Sequence, residues 1–272
     1  MNENVVVSAD WLAERLDEVT VVDVRESWEY DGIGHVPGAV NVPFDSFRDE
    51  EGESESAERS GSDPRDAGTL PGAETWADLM GEAGVSADDT VVAYDDTHGV
   101  FAARFLVTAE AYGHTDLHLL DGDYSSWMRE HETSGDAPDP DPTTYEVRDP
   151  EHSPFVGREE VEAAIDDPDS VLVDTRDDWE FEEGHLPGAV NLDWRELVDD
   201  ETRGLKPRDE LESILDAHDI TPDKRVVLYC NTARRISHTY VVLSSLGYEN
   251  VAFYEGSLTD WESVGGPIET ES

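Results

Sequence analysis

Short apolar runs rich in valine, leucine and isoleucine alternate along the chain with longer stretches whose apolar residues recur at helical spacing. Such runs occur in the first half at 19–24 and 91–94. In the second half they predict strands over 170–174, 189–191, 225–229 and 251–253. The stretches between them predict helices over 157–165, 208–217 and 236–246, with Pro207 in the first turn of the middle one. This alternation favours an α/β fold with a mostly parallel central sheet flanked by helices.

The two halves of the chain repeat one another. Segment 22–30, VDVRESWEY, matches 173–181, VDTRDDWEF, and segment 34–41, GHVPGAVN, matches 184–191, GHLPGAVN. A third match aligns 91–95, VVAYD, with 226–230, VVLYC, at an offset fifteen residues smaller than that of the second. The sequence therefore predicts two copies of one domain, of which the first carries an insertion.

The repeat sets the predicted domain boundaries. We expect a first domain over 1–134 and a second over 151–272, joined by a stiff, extended, acidic and proline-rich linker over 135–150. The insertion in the first copy corresponds to 48–68, which is rich in Ser, Glu, Asp and Gly and predicts a solvated surface loop.

Acidic residues outnumber basic ones by 66 to 18, which gives a formal net charge of -48. Molar salt shortens the electrostatic screening length to about 3 Å and removes most repulsion between surface carboxylates. The charge therefore predicts a salt-adapted, halophilic protein, with an acidic protein that binds basic partners as the alternative. Binding to nucleic acid or to an anionic membrane is disfavoured by the sign of the charge.

The single cysteine, Cys230, excludes an intramolecular disulfide, in agreement with a reducing compartment. Residues 1–10 lack a basic segment followed by an apolar core, and the chain has no run of about 18 apolar residues. We therefore expect a soluble, cytoplasmic protein.

Cys230 ends a predicted strand and precedes Asn231-Thr232-Ala233-Arg234-Arg235, after which a helix is predicted. A loop that enters a helix N-terminus gathers unpaired backbone N–H groups, which together with the helix dipole favour an anion. A cysteine thiolate is such an anion, and two guanidinium groups would favour it further and hold an anionic substrate. A lone cysteine is otherwise most often a small buried apolar residue.

These segments, together with the closing segment 251–261, VAFYEGSLTDW, resemble the tandem-domain rhodaneses, the thiosulfate and 3-mercaptopyruvate sulfurtransferases. The resemblance covers almost the whole chain except 48–68. It implies a silent first domain, an active second domain and a sulfane sulfur carried as a cysteine persulfide. It places the nucleophile on Cys230 and the substrate-binding loop on Asn231, Thr232, Ala233, Arg234 and Arg235. Asp95 stands at the matching position of the first copy, whose loop lacks both arginines, so we expect neither sulfur transfer nor an anion cradle there.

The loop departs from the family in ways that bear on the donor. Thiosulfate-using members usually have Arg-Lys directly after the cysteine, mercaptopyruvate-using members start with Gly-Ser, and both have glycine at the third position, where this chain has Ala233. Leu258 also replaces the usual aromatic residue of the closing segment. The paired arginines favour thiosulfate, a dianion, with cyanide or a thiol as acceptor. The alternatives are 3-mercaptopyruvate as donor, or a non-catalytic sulfur-relay or binding protein.

A phosphatase of the Cys-x5-Arg type shares the strand-loop-helix plan. The loop from Cys230 to Arg235 is one residue shorter than in that class, so its amides suit a single sulfur atom better than a phosphoryl group. A persulfide on Cys230 would identify a sulfurtransferase, whereas turnover of an aryl phosphate would identify a phosphatase.

The other marked residues are interpreted as scaffold. Asp174 and Arg176 end a strand and are expected to organise buried loops, with support of the site as the alternative. Trp28 and Trp179 are predicted to be anchors of the hydrophobic core.

The histidines give no sign of a metal site or of a catalytic triad. His35 and His185 precede a Pro-Gly turn, where an imidazole can hold loop backbone. His114 and His118 lack a partnering cluster, so we predict no metal and no cofactor.

Overall fold

The computed structural model describes residues 1, 3–48, 65, 68–150 and 152–271, in two compact units. Of the described residues, unit 1 comprises those within Met1–Arg48, Leu70–Ser153 and Asp199–Leu205, and unit 2 comprises the rest. Each is an α/β unit with a parallel sheet and flanking helices, which confirms the predicted fold class. The insertion predicted over 48–68 lies almost entirely outside the described residues.

Unit 1 contains a five-stranded sheet in the order β1-β5-β4-β2-β3, with every pair of neighbours parallel. Its strands are β1 Val6–Val7, β2 Thr20–Asp23, β3 Val40–Asn41, β4 Val91–Tyr94 and β5 Leu117–Leu120. Its helices are α1 Ala9–Ala13, α2 Ser27–Ile33, α3 Ala73–Glu82, α4 Val100–Ala111 and α5 Tyr124–Glu130. A 3₁₀ helix covers Phe44–Phe47.

Unit 2 repeats this topology with the parallel order β7-β6-β8-β9, and a parallel bridge from Phe155 to Phe253 takes the place of β1. Its strands are β6 Ser170–Asp174, β7 Val190–Asn191, β8 Arg225–Tyr229 and β9 Val251–Phe253. Its helices are α6 Arg158–Ile165, α7 Asp178–Glu183, α8 Arg208–Ala217, α9 Arg234–Ser245 and α10 Ser257–Ser263, with a 3₁₀ helix over Trp194–Leu197.

The predicted elements of unit 2 agree with these bounds to within two residues. Strands β6, β8 and β9 are as predicted, and β7 begins one residue later. Helix α9 begins two residues earlier than predicted, at Arg234, and Pro207 is the N-cap of α8 rather than part of its first turn. The earlier start of α9 matters because it moves both arginines of the loop into the helix.

The central strand of each sheet, β4 or β8, leads directly into Asp95 or Cys230. All four residues of β4 and the last four of β8 are buried, because helices cover both faces of a parallel sheet. Ligands of such sheets bind at the carboxyl ends of the strands. The residues that follow β4 and β8 directly are Asp95 and Cys230.

An Asp-x-Arg pair fixes the carboxyl end of the strand beside each central strand. Arg176 Nε donates to both carboxylate oxygens of Asp174 at 2.9 and 3.0 Å, and its Nη2 donates to the carbonyl of Gly184 at 2.6 Å. Asp23 and Arg25 repeat this arrangement in unit 1. The pair therefore ties the strand end to the turn that follows the next helix.

The prediction that Trp28 and Trp179 are core anchors is wrong, since they are 67% and 59% exposed. Each lies in the first turn of its helix, two residues before the ring that is buried, Tyr30 or Phe181. Residues two apart on a helix point about 200° from one another, so only one of the two rings can face the core.

His35 and His185 each contact the backbone of the helix that precedes them. His35 stacks on Tyr30 with ring centroids 3.9 Å apart, and His185 stacks on Phe181 at 3.7 Å. A ring nitrogen of each contacts the carbonyl of its stacking partner, at 3.3 Å for His35 and 2.8 Å for His185. Both imidazoles thereby fix the turn that follows α2 or α7.

Two segments of irregular structure belong to unit 1. Within 135–150, Tyr145 is buried and the Thr143 N–H donates to the carbonyl of Gly81 at 2.9 Å. Asp199–Leu205, which comes from the second copy in sequence, joins unit 1 through Arg203, whose Nε donates to both oxygens of Asp123 at 2.8 Å. The predicted linker thus packs along unit 1, and the boundaries at 134 and 150 stay a prediction.

Candidate active site

Cys230 lies at the carboxyl end of β8 and is 2% exposed. Its N–H donates to Ser257 Oγ at 3.2 Å, and its carbonyl accepts the Leu258 N–H at 2.9 Å. The start of α10 therefore fixes both backbone groups of the cysteine. Ser257 was not identified from the sequence, although it lies within the closing segment that carries the family resemblance.

The loop after Cys230 turns sharply into α9 at Ala233, whose φ of 62° and ψ of -5° are left-handed. An L-residue with a Cβ pays roughly 1–2 kcal/mol there, which explains why glycine suits this position. In the described part of the chain, the backbone N–H groups of Thr232, Ala233 and Arg235 have no protein acceptor. Unpaired donors at a helix N-terminus, together with the dipole, form a site that favours an anion.

The same place in unit 1 is filled by the buried carboxylate of Asp95. One oxygen accepts the N–H groups of Thr97 and Gly99 at 2.7 and 2.8 Å, and the other accepts those of Phe101 and Ala102 at 2.7 and 3.0 Å. The expectation that loss of the arginines removes the anion cradle from the first copy is therefore wrong. The cradle is built from backbone N–H groups, which need no arginine.

Burial raises the pKa of the Asp95 carboxyl, and the four N–H donors act in the opposite direction. Because each oxygen already accepts two donors, a proton on either one would displace an N–H group. The carboxylate oxygens lie two bonds beyond Cβ, as the outer sulfur of a cysteine persulfide does. Asp95 therefore shows that this fold can hold an anion at the distance a persulfide requires.

Arg234 and Arg235 lie in the first turn of α9, where a positive charge opposes the helix dipole. Glu180 of α7, 9% exposed, compensates for this because its carboxylate accepts hydrogen bonds from Arg235 Nη1 and, at 2.9 Å, from Asn231 Nδ2. Sequence reasoning missed Glu180. Its repeat position was visible, but the counterpart Glu29 accepts the N–H of Glu26 as a helix cap, so the repeat gave no sign of a loop contact.

Most of the predicted site residues of unit 2 come together around this loop. Arg176 Nη1 lies 3.4 Å from Asn231 Oδ1, so Asn231 joins the Asp174–Arg176 pair to Glu180. Burial lowers the pKa of Arg176, but its hydrogen bonds to Asp174, together with the negative charges of Asp174 and Glu180, raise it overall. Thr232 is exposed, and Arg234 is half-buried.

The rhodanese-like domain family matches this chain over residues 8–130 and 157–264, one match for each copy of the repeat. The chain belongs to the rhodanese family. Its two copies are two rhodanese-like domains, each contributing one sheet of the same topology.

Known relatives of this rhodanese-family chain act on sulfur. It is 33% identical to a thiosulfate sulfurtransferase of Corynebacterium glutamicum, over 97% of this chain and 90% of the relative. It is 32% identical to the sulfur carrier protein TtuD of Thermus thermophilus, over 97% and 96%. The crystal structure of SseA from Escherichia coli, a 3-mercaptopyruvate sulfotransferase, is similar with a TM-score of 0.77 and 26% identity, over 93% of this chain and 98% of SseA. The protein is a sulfurtransferase.

His114 and His118 of this rhodanese-family chain have separate backbone partners. His114 contacts the carbonyl of Asp89 at 2.7 Å, and His118 contacts the carbonyl of Asn4 at 2.8 Å. Within residues 1, 3–48, 65, 68–150 and 152–271, no group of three or more His, Cys, Asp or Glu side chains is arranged to hold a metal ion. Over the same ranges no helix combines the length and the apolar character needed to cross a bilayer.

Proposed function

We propose that the protein transfers a sulfane sulfur from thiosulfate to cyanide or a thiol acceptor through a persulfide on Cys230. The observation that carries this proposal is the equivalence of Cys230 and Asp95. Each residue directly follows the central strand of its sheet and precedes a helix N-terminus. In unit 1 four backbone N–H groups hold the Asp95 carboxylate. In unit 2 the outer sulfur of a Cys230 persulfide would lie the same number of bonds beyond Cβ as those carboxylate oxygens do.

The reaction is a double displacement. The Cys230 thiolate attacks the outer sulfur of thiosulfate, a new S–S bond forms, and the S–S bond of thiosulfate breaks as sulfite leaves with its electron pair. The persulfide anion then gives its outer sulfur to cyanide or to a thiolate, which regenerates the Cys230 thiolate. The first step needs no proton from the protein, because sulfite is a stable leaving group at neutral pH.

Two features support thiosulfate as the donor. The first turn of α9 brings Arg234 and Arg235 to the loop, in a chain whose net charge of -48 otherwise repels a dianion. A relative 33% identical to the chain is named for this donor. The ion pair between Arg235 and Glu180 reduces the available positive charge, which favours the monoanionic 3-mercaptopyruvate as the alternative donor.

A comparison of the two donors tests the proposal. We expect kcat/KM for thiosulfate to exceed that for 3-mercaptopyruvate at least tenfold, and the activity with both to vanish in Cys230→Ser. A wide preference for 3-mercaptopyruvate would overturn the assignment of thiosulfate but leave the persulfide in place. A Cys230-dependent turnover of an aryl phosphate would instead identify a phosphatase.

The sulfur carrier name of a relative favours delivery to a protein thiol as a second candidate function. In that case Cys230 takes up sulfur from a small donor but releases it to cyanide or small thiols only slowly. A persulfide that forms within one turnover and then persists in the presence of excess cyanide would support the carrier.

We also propose that the protein is adapted to molar salt in a cytoplasm. The formal charge of -48 over 272 residues leaves few basic residues for compensation, so screening by salt must relieve much of the repulsion. An increase of the urea midpoint of unfolding with salt concentration tests this proposal.

A further inference from the structure

We propose that the hydroxyl of Thr175 donates a hydrogen bond to the sulfur of Cys230 when that sulfur is negatively charged, as thiolate or persulfide. Thr175 is then a positioning residue of the sulfur site. This inference rests on the proposed function, since it assigns the group that stabilises the proposed nucleophile.

The sheet register places Thr175 beside Cys230. Strands β6 and β8 are parallel with Asp174 opposite Tyr229, and the Thr175 N–H donates to the Tyr229 carbonyl at 3.2 Å, which continues the ladder beyond the last paired residue. The next pair in register is Thr175 and Cys230. Residues paired across a sheet point to the same face, so these side chains lie on the face opposite Tyr229, whose ring packs with Val227.

The Thr175 hydroxyl is buried without a partner. The residue is fully buried, and its Oγ1 has no hydrogen-bond partner among the described residues. An unsatisfied buried hydroxyl is unfavourable and rare in folded proteins, and a valine of the same shape would avoid the penalty. The buried Thr175 hydroxyl therefore indicates that an acceptor on the same face of the sheet becomes available to it in another state of the site.

The first copy supplies a natural comparison. Val24 takes the place of Thr175 there, since its N–H donates to the Tyr94 carbonyl at 3.1 Å and the next residue along that strand is Asp95. The Asp95 carboxylate has two N–H donors on each oxygen and needs no further one. The copy that contains the cysteine thus has a hydroxyl at this position, and the copy that contains the aspartate has valine.

Thr175 Oγ1 is not in hydrogen-bonding geometry with Cys230 Sγ in this structure, and the charge on the sulfur determines how strongly the hydroxyl would be drawn to it. A thiol is a weak acceptor, whereas a thiolate or persulfide anion accepts a charge-assisted hydrogen bond, which is roughly twice as strong as a neutral one. The hydroxyl would therefore bind the sulfur selectively in its reactive form. Thr175 and the loop amides then act on the same anion from two sides.

Two variants separate the hydroxyl from the shape of the side chain. Thr175→Val keeps the shape and removes the donor, and Val24 shows that the fold accepts valine at this place. Thr175→Ser keeps the donor and removes a methyl group. We expect iodoacetamide to alkylate Cys230 at least tenfold more slowly in Thr175→Val than in the wild type at neutral pH, and Thr175→Ser to stay within about twofold of the wild type.

The matched control is Val24→Thr, which should leave the alkylation rate unchanged. The ion pairs Asp174–Arg176 and Glu180–Arg235 are the same in every variant. Wild-type alkylation in Thr175→Val would overturn the inference, and so would a rate in Thr175→Ser as low as that in Thr175→Val, because this would indicate a packing role. Failure of the wild type to take up sulfur from either donor would overturn the proposed function, whereas the alkylation rates would still report the hydrogen bond.

Discussion

Glu180 and Arg235 form an ion pair across the entrance to α9, with the carboxylate 10% and the guanidinium 21% exposed. The same carboxylate accepts Asn231 Nδ2 at 2.9 Å. Glu180 therefore holds the loop after Cys230 at two points and offsets one of its two positive charges. The charge of the site depends on a residue fifty positions away in sequence, on a different helix.

Replacing Glu180 should change the preference between donors. In Glu180→Gln the site gains one unit of positive charge, which attracts dianionic thiosulfate more strongly than monoanionic 3-mercaptopyruvate. We expect the ratio of kcat/KM values, thiosulfate over 3-mercaptopyruvate, to rise roughly fivefold, or about 1 kcal/mol. Steady-state kinetics with both donors measures this ratio. A loss of active enzyme lowers both kcat/KM values by the same factor and therefore leaves the ratio unchanged.

Glu29→Gln is the control, because Glu29 has the same position and helix-capping role in unit 1. It should leave the donor ratio at the wild-type value. An unchanged ratio in Glu180→Gln would show that Arg235 does not contribute its charge to donor binding.

Asp95 should be important for stability although it cannot carry sulfur. In Asp95→Asn the side-chain amide would face two of the four N–H groups that the carboxylate accepts. We expect the free energy of unfolding to fall by roughly 3 kcal/mol, since hydrogen bonds to a charged group are worth about 1.5–3 kcal/mol each. Urea denaturation measures the change, with the exposed Asp31→Asn as control. Equal stability of the two variants would contradict the account of the cradle.

The acidic composition predicts that stability rises with salt. Raising potassium chloride from about 0.1 M to about 1 M shortens the screening length from about 10 to about 3 Å. We expect the urea midpoint of unfolding to increase steadily over this range, while an uncharged osmolyte at equal osmolality gives a smaller increase. A midpoint that is independent of salt would show that the repulsion is compensated within the fold.

The local signals in the sequence were strong where pattern alone determines structure. The strands 170–174, 225–229 and 251–253 agree with the observed bounds, because continuous apolar runs between turn signals are typical of buried parallel strands. The repeat likewise predicted the common topology of both units. Cys230 was placed correctly at the end of the strand that the structure shows as β8.

The sequence was less informative where tertiary contacts decide. Trp28 and Trp179 seemed suited to the core by size, but helix phase turns them outward and buries Tyr30 and Phe181 instead. The cradle around Asp95 consists of backbone N–H groups, which carry no side-chain signature. The contact of Glu180 with the loop joins two helices distant in sequence, and no single-sequence pattern reports such a contact.

Sulfur uptake by Cys230 is the central claim, and intact mass tests it most directly. The purified protein is treated with thiosulfate at molar salt, freed of excess donor without reductant and weighed by mass spectrometry. We predict a gain of one sulfur, about 32 Da, that is lost on addition of cyanide and absent from Cys230→Ser. An unchanged mass in the wild type after thiosulfate and after 3-mercaptopyruvate, or an equal gain in Cys230→Ser, would contradict the account.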